Sequence, residues 1–260
     1  MDVPVNTFKR ALAEGRPQIG LWSSLCSNWA AEVLAPAGFD WILIDMEHSP
    51  NEINTVLGQL QVYESVTTIP VVRPAWNDPV LIKRVLDLGV YNLLLPMVQT
   101  ADDAEAAVRA TRYPPSGIRG VSLNQRGNRF GRIKDYVERI ESELCVLVQI
   151  ETEASLQRLD EIANVEGVDG VFFGPADLSA SLGLIGQPGH PDVWAAIETG
   201  LERCKRAGKP CGILVGQETD ALRCLRSGFS YVAVGSDIAL LARSADGLAA
   251  RMREAAAKSD

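Results

Sequence analysis

Histidine is nearly absent from this chain, with only His48 and His190 among 260 residues. Any imidazole chemistry therefore falls to one of two positions. Five cysteines occur (Cys26, Cys145, Cys204, Cys211 and Cys224), an odd number with no Cys-x-x-Cys pair. That argues against a disulfide framework and against a thiolate zinc site. Cys145 and Cys211 lie in apolar runs and read as small core residues. No apolar run approaches the roughly 18 residues of a membrane-spanning helix. Residues 1–10 show neither the apolar stretch nor the small-residue cleavage site of a secretory leader. A cytoplasmic protein without membrane partners is expected. The formal net charge of −8 argues against nucleic acid as a partner. The chain has neither a G-x-G-x-x-G turn nor a P-loop, so the common nucleotide-binding signatures are missing.

What is present is a rhythm. Short apolar runs at 18–22, 41–45, 71–73, 92–96, 146–151, 170–174, 212–215 and 231–235 read as strands. Most are continuously apolar, the pattern of strands buried on both faces in a parallel sheet. Amphipathic stretches at 78–88, 101–111, 193–207 and 218–227 read as helices between them. Eight strands alternating with helices point to an α/β protein, a (β/α)8 TIM barrel formed by residues 1–260 as one domain. A doubly wound sheet is the structural alternative, but its first strand usually leads into a Gly-rich turn. One segment breaks the rhythm. Residues 113–133 are rich in Gly, Pro, Arg and Asn, and a loop of that length is usually functional or mobile. In the tail, Leu241, Leu248 and Met252 share a helical face suited to packing on the barrel or on a partner subunit.

Barrel chemistry gathers at the C-terminal strand ends. Those ends carry Asp45-Met46-Glu47-His48, Arg73, Gln149-Ile150-Glu151 and Gly174-Pro175-Ala176-Asp177. Glu151 and Asp177 offer hard oxygen ligands, suited to Mg²⁺, Mn²⁺ or a similar ion; ordinary solvated or ion-paired carboxylates are the plainer alternative. His48 can serve as a general base or as a structural histidine at a loop mouth. Arg73, held extended before Pro74, can grip a carboxylate or an enolate oxygen, or make a surface salt bridge. Asp87 falls late in a helix, where an acid opposes the helix dipole, which leaves it open to a role such as orienting a histidine. The turn at Gly174–Pro175 exposes backbone N–H groups at Ala176 and Asp177 that suit an anion. His190 sits in a turn-rich stretch and receives no role. Six lysines are present (Lys9, Lys83, Lys134, Lys205, Lys209 and Lys258), none within a strand candidate. That disfavours Schiff-base chemistry.

At these residues the chain resembles the HpcH/HpaI class II aldolases. The likeness rests on Phe39-Asp40-Trp41 and Asp45-Met46-Glu47-His48-Ser49-Pro50. It continues in Val71-Val72-Arg73-Pro74-Ala75-Trp76-Asn77-Asp78-Pro79, Val146-Leu147-Val148-Gln149-Ile150-Glu151-Thr152 and Gly174-Pro175-Ala176-Asp177-Leu178-Ser179. The resemblance implies a divalent-metal-dependent pyruvate aldolase that uses Mg²⁺, Mn²⁺ or Co²⁺. Its substrate would be a 4-hydroxy-2-oxo acid such as 4-hydroxy-2-oxoheptanedioate, cleaved to pyruvate and an aldehyde. It implies that Glu151 and Asp177 are metal ligands, that His48 is the base with Asp87 as its partner carboxylate, and that Arg73 stabilises the enolate. Gln149, Ala176 and Asp177 would contact pyruvate, and Trp22 and Leu214 would line the pocket. A hexamer, a trimer of dimers with the C-terminal helix exchanged between subunits, is the implied assembly. Segment 121–130 departs from the heptanedioate-cleaving branch, so the aldehyde stays open: succinic semialdehyde first, a sugar-acid-derived aldehyde second. A lyase acting on a CoA thioester and a non-catalytic keto-acid-binding protein are the other readings.

Overall fold

The computed structural model describes residues 1–258. Eight parallel strands close into a barrel in sequence order. They are β1 (Gln18–Ser23), β2 (Trp41–Asp45), β3 (Ile69–Arg73), β4 (Asn92–Leu95), β5 (Cys145–Ile150), β6 (Gly170–Phe173), β7 (Cys211–Leu214) and β8 (Tyr231–Ser236). The expected (β/α)8 barrel is what forms, and closure between β1 and β8 removes the doubly wound alternative. All eight expected strands are present with ends moved by a residue or two. β3 begins at Ile69, earlier than its apolar run suggests, because Pro70 sits at the strand start, where a missing N–H is tolerated.

Helices pack outside the barrel. The four expected ones appear at Pro79–Asp87, Ala101–Thr111, Pro191–Arg206 and Glu218–Arg226. Pro79 and Pro191 occupy first-turn positions, where the lost N–H costs nothing. Thr100 and Asp103 form a capping box on the second of these helices. Further helices, beyond the four expected, form at Thr7–Ala13, Asn28–Leu34, Ile53–Tyr63 and Tyr136–Glu143. No helix among the described residues is long and apolar enough to cross a membrane.

Two layers of core hold the barrel. Ile42, Ile44, Val72, Val146, Val148, Val171 and Ile213 point outward under the helices. Trp41, Leu43, Val71, Leu94, Cys145, Leu147, Phe172, Tyr231 and Ala233 fill the interior. Cys145 and Cys211 are buried, as their apolar context implies. The helix Thr7–Ala13 contributes Phe8, whose ring lies 5.9 Å from the rings of both Trp41 and Tyr231. Phe8 thus plugs the end of the barrel where the strands begin. Gly20 makes room for this layer, since a Cβ there would sit 2.2 Å from the Trp41 ring.

The tail forms one helix, Asp237–Ala257, which touches β1 and β8. Leu240, Leu241, Leu248 and Met252 stand exposed on it, so within one chain this face does not pack on the barrel. The segment 113–133 is anchored rather than loose. Arg119 is fully buried, with its guanidinium 4.5 Å over the Tyr113 ring. Arg126 donates to Glu64 at 2.6 Å and to the Leu88 carbonyl.

Candidate active site

Strand parity explains which polar groups converge. Successive side chains alternate between the two faces of a strand. Trp41 and Leu43 point into the barrel, so Asp45 does too; Val71 is followed by Arg73 on the same parity. Cys145 and Leu147 are followed by Gln149 and Glu151, Phe172 by Gly174, Gly212 by Leu214, and Gly20 by Trp22. The interior column therefore changes from apolar to polar at its C-terminal end.

Asp45 and Arg73 are register partners on β2 and β3. Arg73 Nε donates to Asp45 Oδ1 at 2.9 Å, and Nη2 donates to Oδ2 at 2.7 Å. Trp22 Nε1 donates to Asp45 Oδ2 at 3.1 Å, and the Arg73 guanidinium lies 5.1 Å from the Trp22 ring centre. The backbone N–H groups of Glu47 and His48 reach Asp45 Oδ1 at 3.0 and 3.4 Å. Burial alone would raise the Asp45 pKa. The Arg73 hydrogen bonds and charge, with the Glu47 N–H and Trp22, outweigh it and hold the carboxyl below its ordinary 3.8.

The other end of the guanidinium faces the barrel mouth. Arg73 Nη1 lies 2.8 Å from Glu47 Oε2 and donates to Gln149 Oε1 at 3.3 Å. Gln149 Nε2 donates to Glu151 Oε2 at 2.5 Å, and the Met97 N–H donates to Glu151 Oε1 at 2.6 Å. Glu151 is 1% exposed. Its pKa is pushed up to about 7, first by burial, opposed by the Met97 N–H, then raised again by the charges of Glu47 and Asp177. Glu47 is raised as well, by burial first; Arg73 opposes this, while Asp45 and Asp177 add to it. Glu47, Glu151 and Asp177 thus lie near one another at a mouth where the Arg73 charge is already engaged by Asp45, an arrangement that suits a cation. Gly174 permits the close packing, because a Cβ there would meet the Glu151 Cβ at 2.9 Å. Among the described residues, no three or more His, Cys, Asp and Glu side chains surround one point. A cation held by Glu151 and Asp177 would take its other ligands from water or substrate.

The expected site residues divide into two groups. Trp22, Arg73, Gln149, Glu151, Ala176, Asp177, Leu214 and His48 all lie at the C-terminal ends of β1, β2, β3, β5, β6 and β7. Ala176 and Asp177 begin the short helix Pro175–Ser181 and are exposed. The His48 side chain is 64% exposed, with Nε2 3.8 Å from Glu47 Oε2. Asp87 does not join them within the chain. It ends the helix Pro79–Asp87, which runs from the end of β3 back to the start of β4, at the opposite end of the barrel. Its carboxylate accepts from buried Arg119 at 3.0 Å, which offsets the unfavourable helix dipole. Segment 113–133 packs at that same distant end, against Glu64 and residues 87–89. His190 caps the helix Pro191–Arg206 by accepting from the Asp192 N–H. None of the six lysines lies in a strand.

Two side chains join the site beyond those expected from the sequence. Asp45 and Glu47 flank Met46 in the very string that carries His48, and the structure shows both bonded to Arg73. Inward parity from Trp41 and Leu43 was the signal for Asp45. For Glu47, which follows the strand, no periodic signal exists.

Comparison with known proteins follows the same lines. A family model described as HpcH/HpaI aldolase/citrate lyase matches residues 18–244. A pyruvate aldolase of Rhizobium etli is 59% identical over 251 residues, covering 96% of this chain and 99% of that protein. A 4-hydroxy-2-oxo-heptane-1,7-dioate aldolase of Shigella sonnei is 58% identical over 247 residues, covering 95% of this chain and 94% of that protein. The crystal structure of an HpcH/HpaI aldolase/citrate lyase family protein from Burkholderia cenocepacia is 39% identical. It superposes with a TM-score of 0.93 over 96% of this chain and 100% of that one.

Proposed function

This chain belongs to the HpcH/HpaI aldolase/citrate lyase family, a premise from which we propose that it cleaves 4-hydroxy-2-oxo acids reversibly to pyruvate and an aldehyde. It is a carbon–carbon lyase. The observation that carries the reading is the pairing, at one barrel mouth, of buried Glu151 and the neighbouring Glu47 and Asp177 carboxylates with the fixed Arg73 guanidinium.

Glu151 and Asp177 would hold a divalent cation such as Mg²⁺, Mn²⁺ or Co²⁺. Bound there, the cation supplies Lewis acidity toward the oxygens of the 2-oxo acid. Gln149 and the N–H groups of Ala176 and Asp177 orient the substrate carboxylate and keto group. Trp22 and Leu214 wall the pocket and exclude water from one side. His48 accepts the proton of the C4 hydroxyl. The C3–C4 bond then breaks, the aldehyde leaves, and the electron pair becomes the C2–C3 enolate of pyruvate. Arg73 Nη1 places positive charge toward the enolate oxygen. Protonation at C3 releases pyruvate. A rate gain that requires roughly 8 kcal/mol exceeds any one hydrogen bond. Fixed charge and orientation together reach it.

Asp87 can assist His48 only from a second copy, because the two lie at opposite ends of one barrel. The exposed apolar face of the helix Asp237–Ala257 gives such copies a contact surface. We therefore extend the reading to a cytoplasmic homo-hexamer with exchanged C-terminal helices. Succinic semialdehyde is the aldehyde the named Shigella relative suggests, with sugar-acid-derived aldehydes second. The test is a panel of aldehydes with pyruvate and Mn²⁺, the products identified by mass and NMR. Condensation with succinic semialdehyde, lost on chelation, is expected. Turnover of a CoA thioester alone, or binding without turnover of any aldehyde, would overturn the reading.

A further inference from the structure

We propose that Asp45 is a positioning residue for this reaction: its buried carboxylate decides which end of the Arg73 guanidinium meets substrate and fixes the backbone that carries His48. The inference rests on the aldolase reading above. Asp45 is 1% exposed and spends every acceptor direction locally. Oδ1 takes Arg73 Nε and the Glu47 and His48 N–H groups; Oδ2 takes Arg73 Nη2 and Trp22 Nε1.

Two consequences follow from the donor inventory. A guanidinium has five N–H donors in a rigid fork. Asp45 occupies the Nε/Nη2 edge, so Nη1 is the nitrogen presented to the mouth, where it meets Glu47 and Gln149. Trp22 closes the unit, because it bonds Asp45 through Nε1 and lies 5.1 Å from the guanidinium through its ring. Asp45, Arg73 and Trp22 thus each touch the other two, and none can turn alone. The second consequence concerns the base. An aspartate that accepts from backbone N–H groups two and three residues on locks a turn. Here that turn carries Glu47 and His48, the latter with little other support for its exposed ring. One carboxylate therefore sets the spacing between the cation that stabilises the enolate and the base that moves the proton. A mere counter-charge to Arg73 would not need the backbone bonds or the tryptophan.

The test uses the full-length protein with Mn²⁺, and reads oxaloacetate decarboxylation and inhibition by oxalate, a planar mimic of pyruvate enolate. Asp45→Asn keeps the size but puts an NH2 opposite Nη2 and Trp22 Nε1, both donors. Misplacement of this order costs roughly 100-fold in rate. The expected result is a kcat lower by about 100-fold with KM within about threefold and oxalate inhibition weakened about tenfold. Combined with Arg73→Ala, Asp45→Asn should add less than about twofold to the loss from Arg73→Ala alone, because residues acting as a unit are not additive. Losses that multiply, or Asp45→Asn with kcat near wild type, would overturn the proposal. If Asp45→Asn does not fold, Asp45→Glu keeps the charge and moves it by one methylene. It should fold, hold KM, and lose about tenfold or more in kcat; an unchanged kcat overturns the proposal equally. A wild-type protein without metal-dependent decarboxylation sinks the aldolase reading and this inference together. An active wild type with multiplying losses sinks this inference alone.

Discussion

Arg73 does two jobs with one side chain. It neutralises buried Asp45 and faces the site through Nη1. Arg73→Lys keeps the charge but loses the bidentate fork. A kcat loss on the order of 10²–10³ is expected, and oxaloacetate decarboxylation kinetics check it. Denaturant midpoints should fall as well, because a lysine ammonium cannot make the two-point hydrogen bond to the buried Asp45 carboxylate. The pH dependence of stability has a definite sign. The folded pKa of Asp45 lies below its ordinary value, so its pairing contributes stability in full above about pH 4. That contribution is lost as the pH falls through the lowered folded value. Urea midpoints measured from pH 6 downward should fall more steeply for wild type than for Asp45→Asn. At this scale the sequence was partly legible. Glu151, Asp177, Arg73 and His48 stand out as candidates because they lie at or just beyond strand ends, where barrel chemistry gathers. Glu47 stands beside His48 just beyond β2, where nothing in the sequence marks it as a partner of Arg73. Asp87 falls away from the others because it ends the helix that returns from β3 to the start of β4, at the opposite end of the barrel from the strand ends that carry the site.

Among the elements, the helix Thr7–Ala13 most clearly contributes packing without chemistry. It delivers Phe8 to Trp41 and Tyr231 at the closed end of the barrel, far from the strand ends that carry the site. Phe8→Ala should cost about 3–5 kcal/mol of unfolding free energy while leaving kcat close to wild type. Chemical denaturation beside steady-state kinetics checks both halves. The strands were legible because parallel strands buried on both faces read as unbroken apolar runs, as in Trp41-Ile42-Leu43-Ile44. The helix Thr7–Ala13 was not. Seven residues give fewer than two turns, and its hold comes from Phe8 packing and the Asn6 cap, which periodicity does not record. Segment 113–133 shows the same limit. Its Gly and Pro content suggests looseness, yet buried Arg119 and the bonds from Arg126 tie it down.

The whole molecule combines an acidic mouth with an exposed apolar helix. Cation binding at Glu151 and Asp177 should stabilise the fold by mass action, by about 2.7 kcal/mol at a hundredfold excess over Kd. Thermal melts with and without Mn²⁺ should therefore differ for wild type and coincide for Glu151→Gln. Equal shifts in both would place the cation elsewhere. The net charge of −8 keeps long-range attraction for cations at low ionic strength, so the shift should shrink as salt rises.

The most direct test of metal-enolate chemistry is exchange of the C3 protons of pyruvate in D2O, followed by NMR with no aldehyde present. It isolates formation of the enolate from the choice of aldehyde. The expected result is Mn²⁺-dependent deuterium incorporation, abolished by chelation and by Glu151→Gln and strongly reduced by Arg73→Ala. Exchange that survives chelation, accompanied by a borohydride-trapped pyruvate adduct on a lysine, would contradict the mechanism.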